Sequence, residues 1–445
     1  MIASFAVRNW KSFRGEEVFS FAASKEAKKR EHVFEPARGV RLLPVAGVFG
    51  PNASGKSNFI SACETLRNLV LHGGTRAGPL PYHPFKLDSG CLHQPTGFAV
   101  EFVHRGKLYR YAVDYTRDEV ISEELVELKN SRTVCVYRRE RSRLVEVCDA
   151  LDASLAATVM KATRQNVLFA HNAAVFNVAG ADVVADWMRA CVLILKDSDS
   201  AHRGGVVVQH NGVVRETWGA TLRALGTGIE GLKSVPVGWE TSGISKEQQQ
   251  EWSGRLAPNQ AVFLHTPDGG QRMLVFREGG ELVVHKLMTQ HYDQTGREVL
   301  FDLAEESEGV RRMVDLLPAL ALLIHTPHPL VVFVDELDSS LHSEATQALL
   351  ERFLTTSLPR PPAQLFFTTH DLMLMDQELF RRDELWLCDT TSDGSSHITC
   401  FADYAGLHHT TKLRNLYLSG RTHGLPRIVA EDILPYGRFL NRAKP

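Results

Sequence analysis

Residues 50–57 read Gly50-Pro51-Asn52-Ala53-Ser54-Gly55-Lys56-Ser57. This is a complete G-x-x-x-x-G-K-S loop, and it dictates what must surround it. The glycines let the backbone curl until successive N–H groups point inward at phosphate oxygens. Lys56 supplies a point charge for β- and γ-phosphates. The Ser57 hydroxyl is the expected Mg²⁺ ligand. Such a loop needs a strand before it and a helix after it. Leu42 to Phe49 is an apolar run of buried-strand type, and Asn58 to Leu66 carries apolar residues at helical spacing. The helix N-terminus adds its dipole to the anion site. Asn52, Ala53, Ser54, Gly55, Lys56, Ser57 and Asn58 are the nucleotide-binding residues this predicts.

A second segment completes the chemistry. Leu330 to Val334 is continuously apolar and ends in Asp335-Glu336. A strand buried on both faces has that pattern, and its C-terminal end is where ligands sit in a parallel α/β sheet. Asp335 is expected to hold Mg²⁺ through water, and Glu336 to polarise the attacking water. Leu365-Phe366-Phe367-Thr368-Thr369-His370-Asp371 is another apolar strand with a polar end. His370 placed there can reach a γ-phosphate or the lytic water. The expectation is an α/β fold that binds ATP with Mg²⁺ and hydrolyses it, with Glu336 and His370 as catalytic residues.

Composition narrows the remainder. A chain of 445 residues suggests two or three structural units. Hydrophobic content of 44% and charged content of 23% are ordinary for a globular protein. The formal net charge of -2 leaves nucleic-acid contact to local patches. Lys25 to Arg30 and Arg138 to Arg143 are the candidates. Seven cysteines without a C-x-x-C pair read as reduced thiols. There is no apolar signal core after Met1 and no run of 18 apolar residues. The expectation is a cytoplasmic protein with no membrane contact.

Along the chain, Ile2 to Val7 and Glu17 to Phe21 look like a strand pair. Residues 25–40 are charged and are expected to loop out. Residues 97–138 alternate in strand fashion, with Gly106 at a hairpin turn. From about 145 the period shifts toward 3.6. Ala153 to Met160, Val183 to Leu195 and Leu222 to Leu232 read as helices. The polar run Gly243 to Glu251 reads as a linker, and strands return at Ala261 to His265, Met273 to Phe276 and Leu282 to Leu287. This divides the chain into 1–145, an inserted and largely helical subdomain at 146–285, and 286–445.

Asp335-Glu336-Leu337-Asp338-Ser339-Ser340-Leu341-His342 resembles the acidic strand end and D-loop of ABC-type ATPases, and His370 resembles their switch histidine. Glu306-Ser307-Glu308-Gly309-Val310-Arg311-Arg312, before the apolar helix Met313 to Ile324, resembles a degenerate ABC signature. Glu308 and Val310 depart from the usual small and polar residues there. Asn9-Trp10-Lys11-Ser12-Phe13 is similar to the opening of SMC-like and OLD-like ATPases. No clear Q-loop is present, Gln94 being the nearest candidate. With Pro84-Phe85, Gly228-Ile229 and Tyr417 to Arg421, these segments are similar to the bacterial RloA, PtuA and AriA-like ATPases of anti-phage systems.

The resemblance implies an ABC/SMC-like P-loop ATPase head with an N-terminal antiparallel β lobe. It places Lys11 and Phe13 near the nucleotide. It gives Ser307 and Gly309 a nucleotide-binding role in trans, so the working unit would be a homodimer or higher homo-oligomer. It implies a separate effector, such as an HNH or TOPRIM nuclease, with a phage protein or DNA as trigger. The insertion, the C-terminal residues 385–445 and the run Arg421 to Arg427 are the expected partner surfaces. The alternative is an SMC-like DNA-repair or DNA-clamp ATPase. That reading wants a long heptad coiled coil, and residues 146–285 carry glycines and strands instead.

Overall fold

The computed structural model describes residues 1–73, 78–129, 132–195, 206–209, 212–258, 260–266, 271–325, 328–356, 363–404 and 411–422. In chain order the first part contains β1 (Ile2–Arg8), β2 (Glu17–Ser20), the short hairpin β3 (Phe34–Ala37) and β4 (Val40–Leu42), β5 (Val45–Phe49) and α1 (Lys56–His72). The meander β6 (Thr96–His104), β7 (Lys107–Tyr115), β8 (Val120–Lys129), β9 (Arg132–Glu140) and β10 (Arg143–Val147) follows. These strands form a seven-stranded antiparallel lobe in the order β10-β9-β8-β7-β6-β1-β2. The alternation read over residues 97–138 is this meander, with Gly106 at φ 75° in the β6–β7 turn. Residues 25–40, expected to loop out, supply the β3–β4 hairpin.

Next come α2 (Ala153–Ala162), α3 (Phe169–Val175), α4 (Val183–Cys191) and β11 (Val192–Leu195). Then follow β12 (Val206–Gln209), α5 (Gly212–Ala224), β13 (Gly231–Val237), α6 (Lys246–Arg255), β14 (Gln260–His265), β15 (Arg272–Glu278), β16 (Glu281–Tyr292) and β17 (Glu298–Asp302). The last part is α7 (Glu308–His325), β18 (Leu330–Val334), α8 (Ser343–Thr356), β19 (Ala363–Thr369), β20 (Leu385–Thr390), β21 (Ser396–Cys400) and α9 (Leu413–Leu418).

The central sheet runs β11-β18-β19-β5-β20-β21. Its first five strands are parallel, and β21 turns back antiparallel on β20. The strand before the phosphate loop therefore lies between two strands made from the last fifth of the chain. Both faces of this sheet are covered, which is why its strands are continuously apolar. Ala46, Val48, Phe333 and Phe366 face the core shared with α1, α4 and the lobe. Val45, Phe49, Val334 and Phe367 face the core shared with α7 and α8. The period-2 pleat sends alternate residues of one strand into two different cores.

Gln364 joins the lobe to this sheet. Its side chain is fully buried, accepts from the Ile2 N–H at 2.8 Å, and donates to the Ile2 and Leu43 carbonyls at 3.0 and 3.1 Å. Three buried backbone groups thereby find a partner.

The stretch 146–285 differs most from its sequence expectation. It is mixed rather than largely helical. Val183 to Leu195 splits: the helix stops at Cys191, and Val192–Leu195 becomes β11, paired in parallel with β18. A second antiparallel sheet, β12-β14-β15-β16-β13, occupies most of the remainder, with β17 paired to β16. The helix expected at Leu222 to Leu232 ends early because Gly226 and Gly228 adopt φ 72° and 76°. Leu225 to Ile229 form a turn, and Gly231 opens β13. The polar run expected as a linker is α6, where Ser245 and Gln248 form a capping box. Trp252 and Leu256 then bury the helix's apolar side against Val262, Leu264 and Val275.

Candidate nucleotide site

The strand, loop and helix order required by the G-x-x-x-x-G-K-S motif is present: β5, residues 50–55, then α1. Two glycines make the loop's path possible. A Cβ on Gly50 would meet the Cys388 carbonyl oxygen at 2.1 Å, and a Cβ on Gly55 would meet Ser396 Oγ at 2.3 Å. Gly55 also sits at φ 113°, where a side chain is strained. The loop is held from below by the β20–β21 hairpin. Ser396 Oγ and the Cys388 thiol both donate to the Ser54 carbonyl, at 2.6 and 3.2 Å. Burial pushes the Cys388 thiol up to about 12, so it stays protonated as a donor.

Lys56 is buried, and its Nζ donates to the Gly50 and Pro51 carbonyls at 2.7 and 2.9 Å. Burial lowers the affinity of this amine for its proton, and the fields of Glu336, Asp335 and Asp338 oppose that. Ser54 Oγ is buried with no hydrogen-bond partner among the described residues. Asn52, Ala53 and Ser57 are exposed, and Asn58 is half-buried. A lysine inside the loop, an unmatched hydroxyl and glycines that keep the backbone close suit a phosphate chain.

Asp335 and Glu336 follow β18 next to the loop. Thr368, on the neighbouring β19, organises both. Its hydroxyl donates to Asp335 Oδ1 at 2.6 Å and accepts from the Glu336 N–H at 2.8 Å. Its carbonyl accepts from the Leu337 N–H at 3.0 Å. On the other side Arg312 Nη2 donates to the Asp335 and Glu336 carbonyls at 2.7 and 3.2 Å. Glu336 is held at φ 48°. Such a backbone persists only when its neighbours over-determine it, and it gathers at functional sites.

His370 directly follows β19 and is half-exposed, with Nδ1 3.2 Å from Asp338 Oδ2. Sequence reasoning missed Thr368, Ser396 and Arg312. Thr368 was visible only as a polar residue at a strand end, and Ser396 gave no signal.

Ser307 and Gly309 lie at the start of α7. The Ser307 hydroxyl caps its own helix, accepting from the Val310 N–H at 3.3 Å. Ser307 and Glu308 are exposed. Gly309 packs against the D-loop, where an added Cβ would come within 2.4 Å of the Ser340 carbonyl oxygen. No hydrogen bond among the described residues joins Ser307 or Gly309 to residues 50–57.

Three other expected residues land differently. Lys11 Nζ donates to Ser61 Oγ on α1 at 2.7 Å, beside the loop helix. Phe13 is fully buried, its ring 6.1 Å from Phe59, and so serves the core rather than the loop's open side. The Gln94 side chain is exposed, and its carbonyl accepts from Asn9 Nδ2 at 2.8 Å. The basic run 138–143 is largely neutralised: Arg138 pairs with Glu146, Arg141 with Glu119, and Arg139 is buried against Glu123. Of the partner-surface run, His423 to Arg427 lies outside the described residues.

Among comparisons with known proteins, the family described as "AAA domain, putative AbiEii toxin, Type IV TA system" matches residues 45–146 and 181–376, more than half of the chain. The matched segments include the loop, Asp335, Glu336 and His370. No curated protein matches the sequence. Solved structures similar to it include an "SMC head domain from Thermotoga maritima". That likeness has 16% identity and a TM-score of 0.35, covering 90% of this chain and 98% of that one. Another is an SMC head bound to the C-terminal winged-helix domain of ScpA, at 10% identity and a TM-score of 0.37, covering 89% and 97%. No helix among the described residues is long and apolar enough to cross a membrane.

Proposed function

This chain belongs to that AAA-domain family, and on that premise we propose that it is an ATP-hydrolysing switch whose ATP-bound state joins two copies and controls a separately encoded effector in anti-phage defence. The observation that carries the ATPase reading is the convergence of Lys56, Asp335, Glu336 and His370 around Thr368 and the loop. Loop N–H groups and Lys56 would take the phosphates, with a phosphate oxygen replacing the two carbonyls now bonded to Lys56. Ser57 and Asp335 would hold Mg²⁺, which supplies charge neutralisation at the phosphate oxygens when bound. Glu336 orients and polarises the water. The water's oxygen bonds to the γ-phosphorus as the bond from phosphorus to the ADP oxygen breaks, and the water gives up a proton.

The switch reading rests on Ser307 and Gly309. They are placed at a helix start, where an anion is favoured, yet they make no bond to their own loop. A second copy facing the first head-to-tail would bring them to its γ-phosphate. The defence role and the nuclease effector rest on the family resemblance, and fold alone does not decide them. The SMC-like DNA-clamp alternative gains little, because the basic run 138–143 is paired internally.

Mixing two inactive variants tests the shared site. Lys56→Ala abolishes nucleotide binding by its own loop, and Ser307→Arg blocks the trans surface. The mixture recovers part of the ATPase activity, because a mixed dimer retains one intact site. No recovery, with mixed dimers demonstrated, overturns the shared-site reading.

A further inference from the structure

We propose that Asp338 is a positioning residue that holds the His370 ring with its proton on Nδ1, leaving Nε2 free to accept a proton during ATP hydrolysis. The proposal rests on the ATPase reading above, and it assigns to the D-loop a role within its own subunit.

The backbone brings the two residues together. Thr368 binds the Glu336 N–H through its hydroxyl at 2.8 Å and the Leu337 N–H through its carbonyl at 3.0 Å. Two residues beyond Thr368 on one strand is His370, and the residue after Leu337 on the other is Asp338. The D-loop coils back on itself: the Ser339 and Leu341 N–H groups donate to the Glu336 and Asp338 carbonyls at 2.9 and 3.1 Å. Leu337 plugs the core and Ser340 takes φ 59°, so the loop has little freedom to carry Asp338 away.

The side chains then define one proton's position. Asp338 Oδ2 lies 3.2 Å from His370 Nδ1, with 3% of the Asp338 side chain exposed against 56% for His370. An ionised carboxylate only accepts hydrogen bonds, so at this distance it favours the ring form that carries its hydrogen on Nδ1. A neutral imidazole has a single N–H, and Nε2 is left with its lone pair. Asp338 Oδ1 is buried and has no hydrogen-bond partner among the described residues. Oδ1 therefore offers no competing partner that would draw the carboxylate away from the ring. Asp335, Glu336 and Asp338 all act on Lys56. The field of Asp338 reaches Lys56, which places the pair beside the phosphate loop. In hydrolysis the water's proton goes to Nε2, the Nδ1 proton stays on the ring against Asp338, and the exposed ring returns the extra proton to solvent.

The test uses full-length protein with ¹⁵N-labelled histidine, His370 being assigned by its disappearance in His370→Gln. Without nucleotide, wild-type His370 is expected to show a protonated Nδ1 and a bare Nε2. Asp338→Ala should move it toward the other tautomer. With Mg·ATP, Asp338→Ala should lower kcat about tenfold or more, a part of the ~10²–10⁴-fold that acid–base catalysis contributes. ATP affinity should stay within about threefold, and Asp338→Glu should restore part of kcat. A wild-type ring protonated on Nε2 overturns the proposal. So does a loss of kcat with the tautomer unchanged, because Asp338 would then act only on the loop. Asp338→Leu, of similar size and without an acceptor, replaces the alanine variant if that one fails to fold. The tautomer readout needs no nucleotide, so it judges Asp338 even if wild-type protein hydrolyses no ATP and the ATPase reading itself fails.

Discussion

Replacing Thr368 with valine removes one hydroxyl and almost no volume, which makes it a clean probe of how the acidic strand end is held. Thr368 is fully buried, and Asp335 is 9% exposed. The hydroxyl's bond to Asp335 Oδ1, at 2.6 Å, is charge-assisted and worth about 1.5–3 kcal/mol net. Its loss also strands the Glu336 N–H, which costs about 1–3 kcal/mol when buried and less at this half-buried position. The two bonds share one atom and do not add fully. The expected destabilisation is about 3 kcal/mol, read as a lower urea midpoint with an unchanged slope.

Activity should suffer as well, because Asp335 and Glu336 lose the group that sets their mutual position. Partners of metal-binding groups typically contribute about 10–100-fold. A fall of that size in kcat, with a raised Mg²⁺ requirement, is the expected outcome. Thr368→Ser keeps the hydroxyl and should retain most of both properties. A valine variant within about 0.5 kcal/mol of wild type, turning over ATP at the same rate, would refute this account of the site.

Gly309→Ala should leave ATP binding at the Lys56 loop intact but displace the D-loop, because its Cβ would lie 2.4 Å from the Ser340 carbonyl oxygen. The measurable result is normal affinity in an equilibrium titration with reduced turnover and reduced ATP-dependent association by light scattering. The buried cluster of Asp315 on α7 with Arg272 and His265 predicts an acid sensitivity. Burial works to raise the Asp315 carboxyl, but the hydrogen bonds from Arg272, with His265 close beside it, prevail and hold it at about 2, below its ordinary 3.8. A depressed acid stabilises the fold above its unfolded value, and the contribution disappears as pH falls from about 4 through 2. That difference is worth about 2 kcal/mol at neutral pH. Asp315→Asn should lose this component of the pH dependence in urea melts. It should also be about 3–5 kcal/mol less stable at neutral pH, because Arg272 stays buried without its carboxylate.

The loop, the acidic strand end and His370 were legible because each needs a few residue types at fixed spacing, flanked by apolar runs. The lobe was legible because a half-covered meander alternates along the chain. Residues 146–285 resisted for physical reasons. Val192–Leu195 continues the apolar run of α4, and only its pairing with β18 makes it a strand. Gly243 to Glu251 is polar apart from Ile244, so its helix depends on a capping box and on the apolar anchors Trp252 and Leu256 that follow. Ser396 and Thr368 act through a single hydroxyl each, placed by strands that meet only in the folded molecule.

The position of β5 also bears on how the protein is made. Val45–Phe49 emerges early from the ribosome, but its neighbours β19 and β20 begin at Ala363 and Leu385. From Phe49 to Ala363 is 363 − 49 = 314 residues. At roughly 5–20 residues per second, synthesis leaves this apolar strand without its partners for about 15–60 seconds. During that interval the phosphate loop cannot be in its working shape, so a nascent chain should be blind to ATP until nearly its whole length has been translated. It is also when the chain is most open to aggregation and most dependent on chaperones.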